Sequence, residues 1–220
     1  MQHAIRLLVI LAECGEDVKA GDPVGAAKVI RSELRLQALD FWLRNPDYLA
    51  DELVTKVEAG EQPKTFLTVA RNLLDDSEPD LRWYPMPRWH FGAYEAIDDA
   101  FALLETYGLA KLDRVGSLSK VVRSQFFLTD AGLKAATDLA SEPRLSWYTE
   151  QVKLVFVVAG DEVGSHLKER QYLQAEYAGT ELGIHIGPIA AQVRDRLDTI
   201  DAAAGAATGA SGSPKTGEDA

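Results

Sequence analysis

The sequence predicts a mainly α protein with a small β-hairpin (α+β), on three observations. Apolar residues recur at helical spacing through most of the chain. Cap-and-proline or glycine signals punctuate those stretches. One segment, near residues 110–128, instead alternates apolar and polar residues about a Gly-Ser tip, as a half-buried hairpin does. With 46% hydrophobic and 26% charged residues, the 220-residue chain has the composition of a globular protein with a substantial core.

The first helix is expected from His3 to Cys14, ended by Gly15. Its run Leu7 to Ala12 follows Arg6 and superficially suggests a signal peptide. The run stops at Glu13 with no small-residue cleavage site after it, so a core helix of a cytoplasmic protein is the expectation. Asp22 then reads as the cap of a second helix with Pro23 at its first position, carrying Val29, Ile30, Leu34, Leu36, Leu39, Phe41 and Leu43. Asn45-Pro46 repeats the signal for a helix to about Ala59, before Gly60, and a fourth helix is expected near Thr65 to Leu74.

Residues 82–91 read Arg-Trp-Tyr-Pro-Met-Pro-Arg-Trp-His-Phe. Two prolines forbid a regular helix, and the aromatics need either burial or a partner. The segment is therefore a strap packed across the neighbouring module, or an aromatic anchor for a partner protein. Past residue 140, helix is expected from Trp147 to about Tyr172 and again from Pro188 through Ile189, Val193 and Leu197. From about Ala202 the composition of Ala, Gly, Ser, Thr and Pro cannot offset ordering entropy. The expected organisation is an N-terminal helical region (1–80), a central module (81–140), a C-terminal helical region (141–202) and a disordered tail (203–220).

The central module carries the argument. Ile97, Phe101 and Leu104 share a helical face, and Gly108 stops that helix. Ala110 to Arg114 and Ser124 to Leu128 form the hairpin strands. Thr129 caps a following helix with Ala131, Leu133, Ala136 and Leu139 on its apolar side. The runs Leu103-Leu104-Glu105-Thr106-Tyr107-Gly108-Leu109-Ala110 and Phe127-Leu128-Thr129-Asp130-Ala131-Gly132-Leu133 resemble the second half of the winged helix found in small bacterial regulators of the MarR and PadR kind. The resemblance, confined to residues 92–140, implies a winged helix-turn-helix module embedded in a helical bundle and leaves the ligand open.

In DNA-binding members the helix before the Gly-Leu pair reads the major groove. The resemblance maps that role onto Tyr94, Glu95, Ala96, Ile97, Asp98 and Asp99. Between Phe91 and Tyr107, however, stand Glu95, Asp98, Asp99 and Glu105 with no Lys or Arg, a charge of −4. Carboxylates there would face phosphates without counter-charge. The wing has the opposite sign: Lys111, Arg114, Lys120 and Arg123 against Asp113 give +3 over residues 111–123, leaving −14 for the rest of a chain whose formal charge is −11. Those four basic residues are candidate phosphate contacts, or the ordinary charges of a solvated hairpin.

Other chemistry is weakly signalled. Cys14, the only cysteine, lies among Glu13, Glu16 and Asp17, where a thiolate gains no support. His3, His90, His166 and His185 lack metal-ligand spacing, and Glu162 with His166 reads as a surface pair one turn apart. Asp75-Asp76 and Asp98-Asp99 suit helix ends or solvated faces better than paired catalytic carboxylates. Neither a phosphate-binding glycine loop nor a nucleophile elbow is present. The expectation is a non-enzymatic protein without metal or cofactor. It would be either an interaction or regulatory subunit of a bacterial cytoplasmic complex or homodimer, or a transcriptional regulator holding duplex DNA through the wing. The acidic body disfavours DNA and an anionic membrane. In the subunit reading, Glu95, Asp98, Asp99, Trp83, Tyr84 and Trp89 form the docking surface.

Overall fold

A computed structural model of the chain describes residues 1–75, 85–117 and 120–210. The fold is mainly helical with a small antiparallel sheet. Helix α1 (Gln2–Cys14) buries Leu7, Leu8, Val9, Ile10 and Leu11 at the centre of the core. A short strand β1 (Glu16–Asp17) leads through a loop to β2 (Ala26–Ile30), and helices α2 (Glu33–Arg44), α3 (Pro46–Glu58) and α4 (Thr65–Asp75) follow.

Strand β2 corrects the sequence expectation of a helix from Pro23. Gly21 and Gly25 take positive φ (97° and 79°), which stops helix propagation, and the β-branched pair Val29-Ile30 is buried in the sheet. Asp22 caps nothing helical and instead pairs with Arg31 at 2.6 Å. The cap of α2 is Ser32, whose hydroxyl accepts from the Arg35 N–H.

A two-stranded ribbon, β3 (Arg88–Trp89) and β4 (Gly92–Ala93), precedes α5 (Asp98–Thr106). The hairpin is β5 (Ala110–Ser117) and β6 (Lys120–Thr129), followed by α6 (Asp130–Ser141). Strand β2 pairs with β6, Val29 opposite Phe127, so the sheet runs β1-β2-β6-β5 and joins residues before and after position 80. The Leu-Thr-x-x-Gly run after the hairpin has a physical reason. The Thr129 hydroxyl accepts from the Gly132 N–H (3.0 Å) and donates to the Gly108 carbonyl (2.7 Å), tying the end of α5 to the start of α6. A Cβ on Gly132 would lie 2.0 Å from the Leu109 carbonyl oxygen, so only glycine lets α6 approach so closely.

Helices α7 (Ser146–Ala159), α8 (Gly164–Gln171), α9 (Ala175–Gly179) and α10 (Ala190–Ala210) complete the chain. The expected segment 147–172 is thus broken at Gly160, which adopts φ 51°. Glu162 pairs with Arg170 (2.6 Å) rather than with His166. Helix α10 continues to Ala210, past the point where the tail was expected. Alanine-rich composition favours helix once Val193 and Leu197 anchor the first turns. Residues 211–220 lie outside the described residues. Among the described residues no helix is long and apolar enough to cross a membrane.

Candidate functional site

Depressions that share Glu33 bring together Trp89, Asp98, Arg114 and Arg123, and they depend on how residues 85–97 are held. Met86 is fully buried. On the outer side of β3, the Arg88 N–H donates to the Ile184 carbonyl (2.9 Å), the Gly183 N–H donates to the Arg88 carbonyl (2.7 Å), and the Arg88 guanidinium reaches the Thr180 carbonyl (2.6 Å). On β4, the Ala93 N–H donates to the buried Tyr177 hydroxyl (2.6 Å). The ribbon is thus clamped on both sides, by residues 177–184.

Its aromatic side chains do not follow. Trp89 is 48% exposed and Phe91 71% exposed, although the backbone carrying them is fixed. Trp83 and Tyr84 lie outside the described residues.

The segment after the ribbon explains why α5 starts late. The helix expected from Tyr94 begins at Asp98, because Gln37 on α2 takes both backbone groups of Glu95. Its side-chain oxygen accepts from the Glu95 N–H (3.1 Å), and its side-chain amide donates to the Glu95 carbonyl (2.7 Å). The Glu95 carboxylate in turn meets Arg44 (3.0 Å). The Glu95 carboxylate is therefore paired within the chain, and Glu95 precedes α5. It is a half-buried brace that sets the position of Tyr94. Behind it, Arg44 Nε lies 2.9 Å from the buried Asp40 carboxylate, and His3 lies 3.5 Å from it. Burial opposes that charge, but Arg44, His3 and Arg6 together hold the Asp40 carboxyl at about 2.

Asp98 and Asp99 occupy the first turn of α5, both exposed, where the helix dipole favours acids. Asp98 is 3.5 Å from Arg114 of the hairpin, and Glu105 accepts from the Leu112 N–H (2.8 Å), so two of the acids on α5 stitch it to β5. Lys111, Arg114 and Arg123 are exposed on the hairpin. Lys120 opens β6, and its side chain lies outside the described residues.

Glu33, at the start of α2, was not singled out in the sequence. It lines three adjoining depressions. The first, of about 350 Å³, is walled by Leu34, Gln37, Trp89, Phe91, Ala93 and Tyr94. The second, of about 250 Å³, lies between α5 and the hairpin and includes Asp98, Glu105, Leu112 and Arg114. The third, of about 600 Å³, includes Arg31, Val115, Arg123 and Ser124. Burial, then repulsion from Asp98, raises the Glu33 carboxyl above its ordinary value against the pull of Arg114. A correct α2 start would have revealed it, since Ser32-Glu33 is a cap followed by a first-turn acid.

Elsewhere, burial pushes the Cys14 thiol up to about 12, which suits a core residue rather than a nucleophile. Among the described residues no group of three or more His, Cys, Asp or Glu is placed to hold a metal. Compared with protein-family models, with curated proteins and with solved structures, the chain returns no match.

Proposed function

We propose that the protein is a non-enzymatic interaction subunit, with a winged helix that serves as a docking platform for a partner protein instead of a reader of duplex DNA. The observation that carries this reading is the clamped β3–β4 ribbon. It turns Trp89 and Phe91 to solvent beside the acidic starts of α2 and α5. Exposing large aromatics on a fixed backbone is costly to an isolated protein and favourable to an interface, where such residues supply most of the binding energy. The winged-helix reading is supported by β2, which adds a third strand to the hairpin sheet next to α1 and α2.

The second reading, a regulator that grips DNA through its wing, draws on exposed Lys111, Arg114 and Arg123. The surface around them argues against it. Asp98 faces Arg114, and Asp99, Glu105 and Asp113 are also exposed nearby. A phosphate backbone would meet both signs there.

Fluorescence anisotropy with random duplexes over a range of salt separates the two. The docking reading expects little binding at low salt and none at physiological ionic strength. It also expects no change on replacing Arg114, Lys120 and Arg123 with Ala. Tight binding with a steep salt dependence that this triple variant flattens would establish the regulator instead.

A further inference from the structure

We infer that the depression between α2 and the β3–β4 ribbon is a cage for an arginine side chain of the partner protein. The inference rests on the docking reading and specifies what is docked. Three aromatic residues, Trp89, Phe91 and Tyr94, line a groove of about 350 Å³ together with a single carboxylate, Glu33. Aromatic faces attract cations through the ring quadrupole, and a carboxylate at the cage wall supplies the counter-charge. The chain itself displays this chemistry on Phe91, where Lys168 Nζ sits 5.2 Å from the centre of the ring.

The charge balance selects a cation over a neutral apolar ligand. Glu33 is half-buried, and Asp98 lies close enough to repel it. An incoming positive charge relieves that repulsion, whereas a neutral side chain buries it further. Arginine fits a flat, aromatic-walled groove better than lysine, because its guanidinium is planar, weakly hydrated and stacks on rings.

The probe is N-acetyl-arginine methylamide, with the uncharged isostere N-acetyl-citrulline methylamide as its control. Binding is read on the indole N–H resonance of Trp89 in the full chain, assigned with the variant Trp89→Phe. The arginine derivative is expected to move that resonance saturably and to bind about fivefold or more tightly than citrulline. Glu33→Gln is expected to erase the preference while leaving the fold intact, and Phe91→Ser to weaken arginine binding. Equal binding of citrulline, no response to either compound, or a preference that survives Glu33→Gln overturns the cage. Since the probe is a single residue, the outcome is independent of the partner. A partner cross-linked at position 89 without arginine selectivity leaves docking standing and removes the cage. Arginine selectivity without any cross-link removes docking.

Discussion

Glu33 stands where three depressions meet, and at neutral pH its charge works against the fold. Because burial and Asp98 raise its carboxyl, the native state keeps that proton to a higher pH than the unfolded chain does. The sign follows: this residue's contribution to stability falls as pH rises from the ordinary carboxylate value through the raised one. Glu33→Gln is therefore expected to leave stability at pH 7 unchanged or raised, by under about 1 kcal/mol, and to remove that stretch of pH dependence in urea titrations. A clear loss of stability would mean that Glu33 has a structural partner. Asp40 behaves oppositely. Its carboxyl is held at about 2, so the stability it contributes is present above the ordinary value and is lost as pH falls toward about 2. Asp40→Asn takes from buried Arg44 the more deeply buried of its two carboxylates and leaves it half-exposed Glu95, and a loss of about 3 kcal/mol is expected in denaturant melts.

At the scale of elements, the ribbon and the Thr129 junction make contrasting predictions. Phe91 is fixed in place but packs little, so Phe91→Ser should shift stability by less than about 0.5 kcal/mol while it weakens docking. Thr129→Ala should cost about 1 kcal/mol through loss of the cap, and Gly132→Ala about 1–3 kcal/mol through overpacking against Leu109. Urea midpoints measure all three. Elements whose signals are local were legible in the sequence. The α3 start at Asn45-Pro46, the α5 stop at Gly108 and the hairpin alternation all rest on a few adjacent residues. Elements decided by distant partners were not. Val29-Ile30 fits a helical stripe as well as a strand, and only the pairing of β2 with β6, about a hundred residues away, selects the strand. The first turn expected of α5 is likewise taken apart by Gln37, far back on α2.

Over the whole molecule, charge separates what the fold suggests from what the surface supports. An acidic chain of formal charge −11 puts carboxylates on α5 and sets Asp98 against Arg114 of the hairpin. Of the candidate surface, Asp98, Asp99 and Trp89 could be read from residue type alone. The ties of Glu95 to Gln37 and Arg44 could not be read, because they cross the chain. Glu33 and Tyr94 acquire their meaning only when α2 and the ribbon meet. The most direct test of docking places a photo-crosslinking phenylalanine analogue at position 89, and separately at exposed Val24, in the full chain expressed in its native cells. The account predicts one discrete protein adduct from position 89, none from position 24, and loss of the adduct when Asp98 and Asp99 are both changed to Lys in a folded protein. No adduct from position 89, or one that persists in the charge-reversed variant, would contradict it.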